Sequence, residues 1–150
     1  MTGLGGTPQT AGEILDGIKH QVDRLARAID APEQSLPTYA RSEDMARPHI
    51  EVAGKHMSWV VVERGKEWER RTTDDLDELL YWIFKSVISE MSSRFAAKHP
   101  VEGKEFRYPM FKKELELMEA LSPAWRSRLI AELGHLLPEA GLSEHDVAES

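Results

Sequence analysis

One stretch, residues 73–99 (TDDLDELLYWIFKSVISEMSSRFAAKH), limits most strongly what this chain can fold into. Apolar residues recur at Leu76, Leu79, Leu80, Ile83, Phe84, Val87, Ile88, Met91 and Phe95, the spacing of a helix with a wide buried stripe. Its ends carry the matching chemistry. Thr73 is expected as N-cap, and Asp74, Asp75, Asp77 and Glu78 place negative charge where first-turn N–H groups are left over. Arg94, Lys98 and His99 stand at the carbonyl end, and Pro100 stops continuation. A helix this long and this apolar must be covered, so the rest of the chain is read as its cover.

The remainder supplies a plausible partner for each face of that helix. Residues 10–13 read as a capping box, with Thr10 at N-cap and Glu13 at N3. Behind it Ile14, Ile18, Val22, Leu25 and Ile29 form one stripe of a helix that ends before Pro32. Residues 31–48, with Pro32, Pro37 and Pro48, are expected to be a connecting arm. Then comes a β segment: residues 49–52 alternate, Gly54 permits a turn, and residues 57–64 (MSWVVVER) are β-branched and aromatic. Gly65-Lys66 has the form of a two-residue hairpin loop with Gly first, and residues 67–72 return as a charged edge strand. That loop predicts Met57, Trp59, Val61, Glu63, Trp68 and Arg70 on the face toward the long helix. Pro109 opens a further helix carrying Phe111, Leu115 and Met118, and Ser122-Pro123 opens a last one carrying Trp125, Leu129, Leu133 and Leu136, ending at Pro138. Residues 1–9 and 139–150 are expected to be frayed.

The predicted fold class is therefore α+β. It comprises an N-terminal helix, a three-stranded antiparallel sheet, the long helix, and two further helices packed on one sheet face, all in a single domain over residues 1–150. The length suffices for one core of ordinary size. No apolar run nears the roughly 20 residues that cross a bilayer, and the N-terminus lacks a signal-peptide pattern, so a cytoplasmic location is the expectation. The absence of cysteine removes disulfides and thiolate chemistry from consideration. A net charge of −7 speaks against a nucleic-acid binder, which needs clustered Lys and Arg, and suits a basic protein partner.

Candidate chemistry is thin. The cluster Asp74, Asp75, Asp77, Glu78 has the composition of a cation site or a carboxylate pair, yet the helix dipole already accounts for acids in a first turn. The six histidines lack the spacing of a zinc site, and Gly3, Gly5 and Gly6 follow no strand and precede no Lys-Ser/Thr. Glu63, projected toward the core beside two tryptophans, needs a partner, and Arg70 is its diagonal cross-strand neighbour. An internal Glu63–Arg70 ion pair fixing register is the favoured reading, with Arg107 able to join it. Tyr81 and Trp82 flank the apolar stripe and serve packing first, with a share in binding as the second use. No catalytic, cofactor-binding or metal-ligating residue is assigned.

Two segments together resemble a known family. They are ERGKEWERRTTDDLDELLYWIFKSV and VEGKEFRYPMFKKELELMEALSPAW. The matching features are Glu63-Arg64-Gly65 with Glu67, Thr73, the run from Asp77 to Trp82, Phe106-Arg107, Phe111, the run Glu114-Leu115-Glu116-Leu117, and Ser122-Pro123-Ala124-Trp125. In this order, over about half the chain, they resemble the sixty-third numbered family of bacterial immunity proteins encoded beside polymorphic toxins. The resemblance implies a non-enzymatic role, binding and occluding one cognate toxin without a cofactor. Charge and hydropathy speak against a nucleic-acid or membrane partner, and a monomer or weak dimer is expected. An acidic inhibitor would meet a basic toxin quickly. The surface expected to do so is the charged sheet face (Arg64, Glu67, Glu69, Arg71) with the acidic helix start (Asp74, Asp75, Asp77, Glu78). Two alternatives of other classes remain: a small hydrolase using Glu63 or the acidic cluster, and a homodimeric regulator assembling through Val60 and Val62.

Overall fold

The computed structural model describes residues 9–43 and 46–149. The expectation for residues 1–8 lies outside them. The fold is α+β, with a four-stranded mixed sheet and six helices in the described residues. Two compact units partition the chain, residues 1–24 with 36–83 and residues 25–35 with 84–150. The division falls inside two helices, after Arg24 in α1 (Ala11–Ala28) and after Ile83 in α2 (Leu76–Lys98).

The first unit is built on the sheet. Helix α1 starts with the expected box: the Glu13 N–H donates to Thr10 Oγ1 at 3.1 Å, and the Thr10 N–H donates to Glu13 Oε1 at 2.9 Å. Ile18 and Val22 of its stripe are buried. Strands β1 (Thr38–Tyr39), β2 (His49–Ala53), β3 (His56–Glu63) and β4 (Lys66–Thr73) lie in the order β1-β2-β3-β4. The arm expected over residues 31–48 thus contributes a strand, with Thr38 opposite His49 and Tyr39 opposite Ile50 in parallel. Two residues directly after Pro37 are too few to show alternation, so only pairing with β2 reveals them. β2 and β3 join antiparallel through Gly54-Lys55, with Gly54 at φ 61°.

The β3–β4 turn differs from expectation by one residue. Glu63 pairs with Lys66, so the loop is Arg64-Gly65, with both residues in the left-handed region at φ 55° and 74°. That is the pair of angles a type I′ turn requires, and its twist suits the flanking strands. A β-bulge between Val61 and Val62 then sets Val61 opposite Glu69 and Val62 opposite Glu67, leaving Trp68 as the extra residue. A slip of one residue exchanges the faces of a strand. Arg71 and Glu69 therefore join Met57, Trp59 and Val61, while Arg70 shares the other face with Val60. The expected placement of Trp68 and Arg70 toward the long helix is corrected accordingly. Replacing Arg64 by Asn, a residue that accepts the left-handed region readily, should stabilise the protein by about 1 kcal/mol. A thermal melt of Arg64→Asn checks this.

The second unit is helical. α1 closes with a Schellman motif, in which the Ala31 N–H reaches the Ala26 carbonyl at 2.9 Å and Asp30 sits at φ 54°. Helices α3 (Arg107–Leu121), α4 (Pro123–Leu133), α5 (Leu136–Glu139) and α6 (Glu144–Glu149) follow the second half of α2. Phe84 stacks on Trp125 at 6.5 Å between centroids, and Val87, Ile88, Leu115, Met118 and Leu129 are buried. Ser122 caps α4, accepting from the Trp125 N–H at 3.2 Å, as expected. The last helix does not run to Pro138: α4 stops at Gly134, φ 50°, and two short helices follow. The tail expected to be frayed carries its own box, with Ser143 N–H donating to Asp146 Oδ2 at 2.8 Å and Asp146 N–H donating to Ser143 Oγ at 3.1 Å. Ala140 and Leu142 are buried ahead of it.

Candidate partner-binding surface

β4 reads KEWERRTT, and charge at five of eight positions could not be buried without a partner for each group. It lies at the sheet edge, and every residue from Lys66 to Thr72 is exposed. Trp68, thrown out of the ladder by the bulge, is 61% exposed, and Lys66 Nζ stands 4.9 Å from its ring centroid. Arg71 lies on the opposite side of the strand's logic: its guanidinium stacks 4.5 Å from the Trp82 ring centroid in the first turns of α2. Sequence reasoning missed Trp68 as a surface group. The signal was present, since a tryptophan between Glu67 and Glu69 on a charged strand has no continuous apolar face to join.

Arg70 is the centre of a different network from the one expected. Its Nη1 lies 3.0 Å from Glu51 Oε1 and its Nη2 2.9 Å from Glu67 Oε1, while His49 Nε2 lies 2.7 Å from Glu51 Oε2. The hydrogen bond from His49, aided by Arg70, holds the Glu51 carboxyl below its ordinary range. The carboxylates of Glu67 and Glu51 push the Arg70 guanidinium further up. The Glu63–Arg70 pair predicted from sequence does not fit this register, because Glu63 faces Lys66 at the turn and Arg70 faces Val60. Val60 is fully buried, so the apolar patch that a homodimer through Val60 and Val62 would need is also lacking on that face.

The chain runs from this edge directly into the acidic start of α2. Asp75, rather than Thr73, is the cap: its Oδ1 accepts from the Asp77 N–H at 2.9 Å, and its carbonyl from the Leu79 N–H at 3.1 Å. Thr73 Oγ1 accepts from the Asp75 N–H at 3.0 Å and tightens the turn before it. Asp74 is held by His56 Nδ1 at 2.5 Å and by Lys55 at 3.7 Å. Asp74, Asp75 and Asp77 are exposed and Glu78 is half-buried. Of the eight residues expected to bind a partner, Arg64, Glu67, Glu69 and Arg71 lie on the edge hairpin and the other four at the helix start. They form one unbroken stretch of chain, although Glu67 and Glu69 point to opposite sheet faces. No group of three or more metal-ligating side chains is assembled among the described residues. No helix of the described residues is long and apolar enough to cross a membrane.

The family model described as Immunity protein 63 matches residues 54–135, more than half of the chain. The protein belongs to the Immunity protein 63 family. The match begins at the turn before β3 and takes in the edge hairpin, all of α2, α3 and α4. The residues that carried the resemblance fall inside it. No curated protein and no solved structure matches the chain.

Proposed function

We propose that this immunity protein binds and neutralises one cognate bacterial polymorphic toxin, in the cytoplasm, by covering it and without catalysing a reaction. The family match is the observation that carries this reading. The geometry supports it: an exposed edge strand with a protruding tryptophan leads into an acidic helix start, and the three features adjoin along the chain. Large amphipathic aromatics of this kind anchor protein interfaces. Carboxylates beside such an anchor favour a partner whose contact surface is basic, and they speed the encounter. The inhibitor acts as a monomer or a weak dimer, the acidic helix start being repelled by its like in a second copy.

Co-expression with the toxin encoded next to it should restore growth of the host, and the two proteins should co-purify. A toxin that kills equally well with the immunity protein present, and that fails to co-purify with it, would remove the proposal.

A further inference from the structure

The helical unit carries a second feature, distinct from the edge hairpin in place and in charge. The C-terminal half of α2 and the start of α3 enclose a cleft of about 670 Å³. Its apolar lining is Phe95, Val101, Pro100 and Pro109, with Val101 39% exposed. Lys112, Lys113, His99 and Tyr108 stand around that floor. A smaller hollow of about 320 Å³ shares Phe95, His99 and Lys113 with it and adds Arg94 and Lys98. Four permanent cations thus line the two hollows against one carboxylate, Glu116, on a chain whose net charge is −7.

The cations are held, rather than merely present. Lys113 Nζ lies 4.5 Å from the Phe95 ring centroid, and Lys112 Nζ lies 5.5 Å from that of Tyr108. Phe95 is itself fixed by stacking on His99 at 4.2 Å, with His99 Nδ1 3.0 Å from the Phe95 carbonyl. Arg94 is engaged by Glu90 at 2.6 Å, Lys113 by Glu116 at 2.5 Å and Lys112, more loosely, by Asp146 at 3.8 Å, so Lys98 carries most of the outward positive field and Lys112 the next share. The molecule already shows what this wall accepts. Asp146, from its own acidic helix α6, takes a hydrogen bond from the Tyr108 hydroxyl at 3.3 Å and lies 3.8 Å from Lys112 Nζ.

We propose that this cleft docks an acidic segment of a partner protein that carries an apolar or aromatic side chain between its carboxylates. The apolar side chain covers the exposed Val101 and Pro100 and the half-buried Phe95, and the carboxylates meet Lys112 and Lys98. A bare inorganic anion would leave the apolar floor in water, and a basic segment would be repelled. The site does not depend on the proposed toxin-binding surface, which is acidic and lies on the edge hairpin and the first turn of α2.

Fluorescence anisotropy of the full-length protein with a labelled hexapeptide, Asp-Glu-Phe-Asp-Glu-Leu, tests it. The peptide should bind in the micromolar range, and about tenfold more weakly to the double variant Lys112→Glu, Lys113→Glu. Binding should also weaken as salt is raised toward 0.3 M, as charges exposed at a surface are screened. Lys98→Glu, at an exposed position, should weaken it severalfold with an unchanged melting curve, which guards against a folding defect in the double variant. Three results would each overturn the inference: no binding at about 1 mM peptide, equal affinity for Lys98→Glu, or equal affinity for a peptide with serine in place of Phe and Leu. The last would identify a site for bare anions instead.

Discussion

Glu114→Gln is expected to stabilise the protein by roughly 3 kcal/mol at pH 8 and to leave it unchanged near pH 4. Glu114 lies in α3, 5% exposed, and burial pushes its carboxyl up from an ordinary 4.5 to about 7. Lys85 opposes that rise, but weakly, since its ammonium is 2.9 Å from Glu132. Below pH 4.5 the folded and unfolded chains both hold the proton, and the group contributes no pH dependence. Between 4.5 and about 7 the folded chain keeps a proton that the unfolded chain has released, so stability falls as pH rises. Above that range both are ionised, and the folded chain carries a buried carboxylate at full cost. Glutamine has the same shape and no charge to bury, so its denaturation midpoint should not show the decline. Urea denaturation from pH 4 to pH 8 measures this directly. Parallel curves for the two proteins would mean that Glu114 is solvated in a way its burial does not suggest.

Trp68→Ala should weaken toxin binding by about 30-fold, equivalent to roughly 2 kcal/mol, while moving the melting temperature by no more than a degree or two. The asymmetry follows from its position. At 61% exposure the ring contributes little to the fold, yet it is the largest apolar group on the edge strand and is held in place by Lys66. Glu69→Lys, on the same edge, should act differently: it should slow association at low ionic strength and lose that effect as salt is raised. Association and dissociation rates by surface plasmon resonance, with a melt of each variant, separate the two. Wild-type affinity in Trp68→Ala would show that the toxin meets another surface.

Much of the fold could be read from local pattern. The boxed start of α1 and the Ser122-Pro123 start of α4 rest on contacts within a few residues, and both are present; the stripe of α2 is buried from Leu79 to Ile88, with Tyr81 and Trp82 buried beside it and Leu76 exposed. Strand β4 was legible as an exposed charged edge for the same reason, since charge at successive positions leaves no side of a strand to bury. Arg70 and Trp68 were misplaced because Gly65 satisfies either of two hairpin turns, and nothing local distinguishes them. In the acidic tail Ser143 and Asp146 form a capping pair, a local signal that the surrounding charge masks in the sequence.

What the amino-acid order determines by itself in this protein is where α1 and α4 begin, what apolar residues the long helix must bury, and which strand must stay in water. Those outcomes depend on spacing and on the desolvation of charge, both of which act within a turn or two of chain. Tertiary structure alone decides the β3–β4 register, the pairing of Arg70 with Glu51, the two-residue strand β1 and the burial of Glu114. Each of these joins groups separated along the chain, so its free energy depends on which neighbours the fold delivers and on the water they displace.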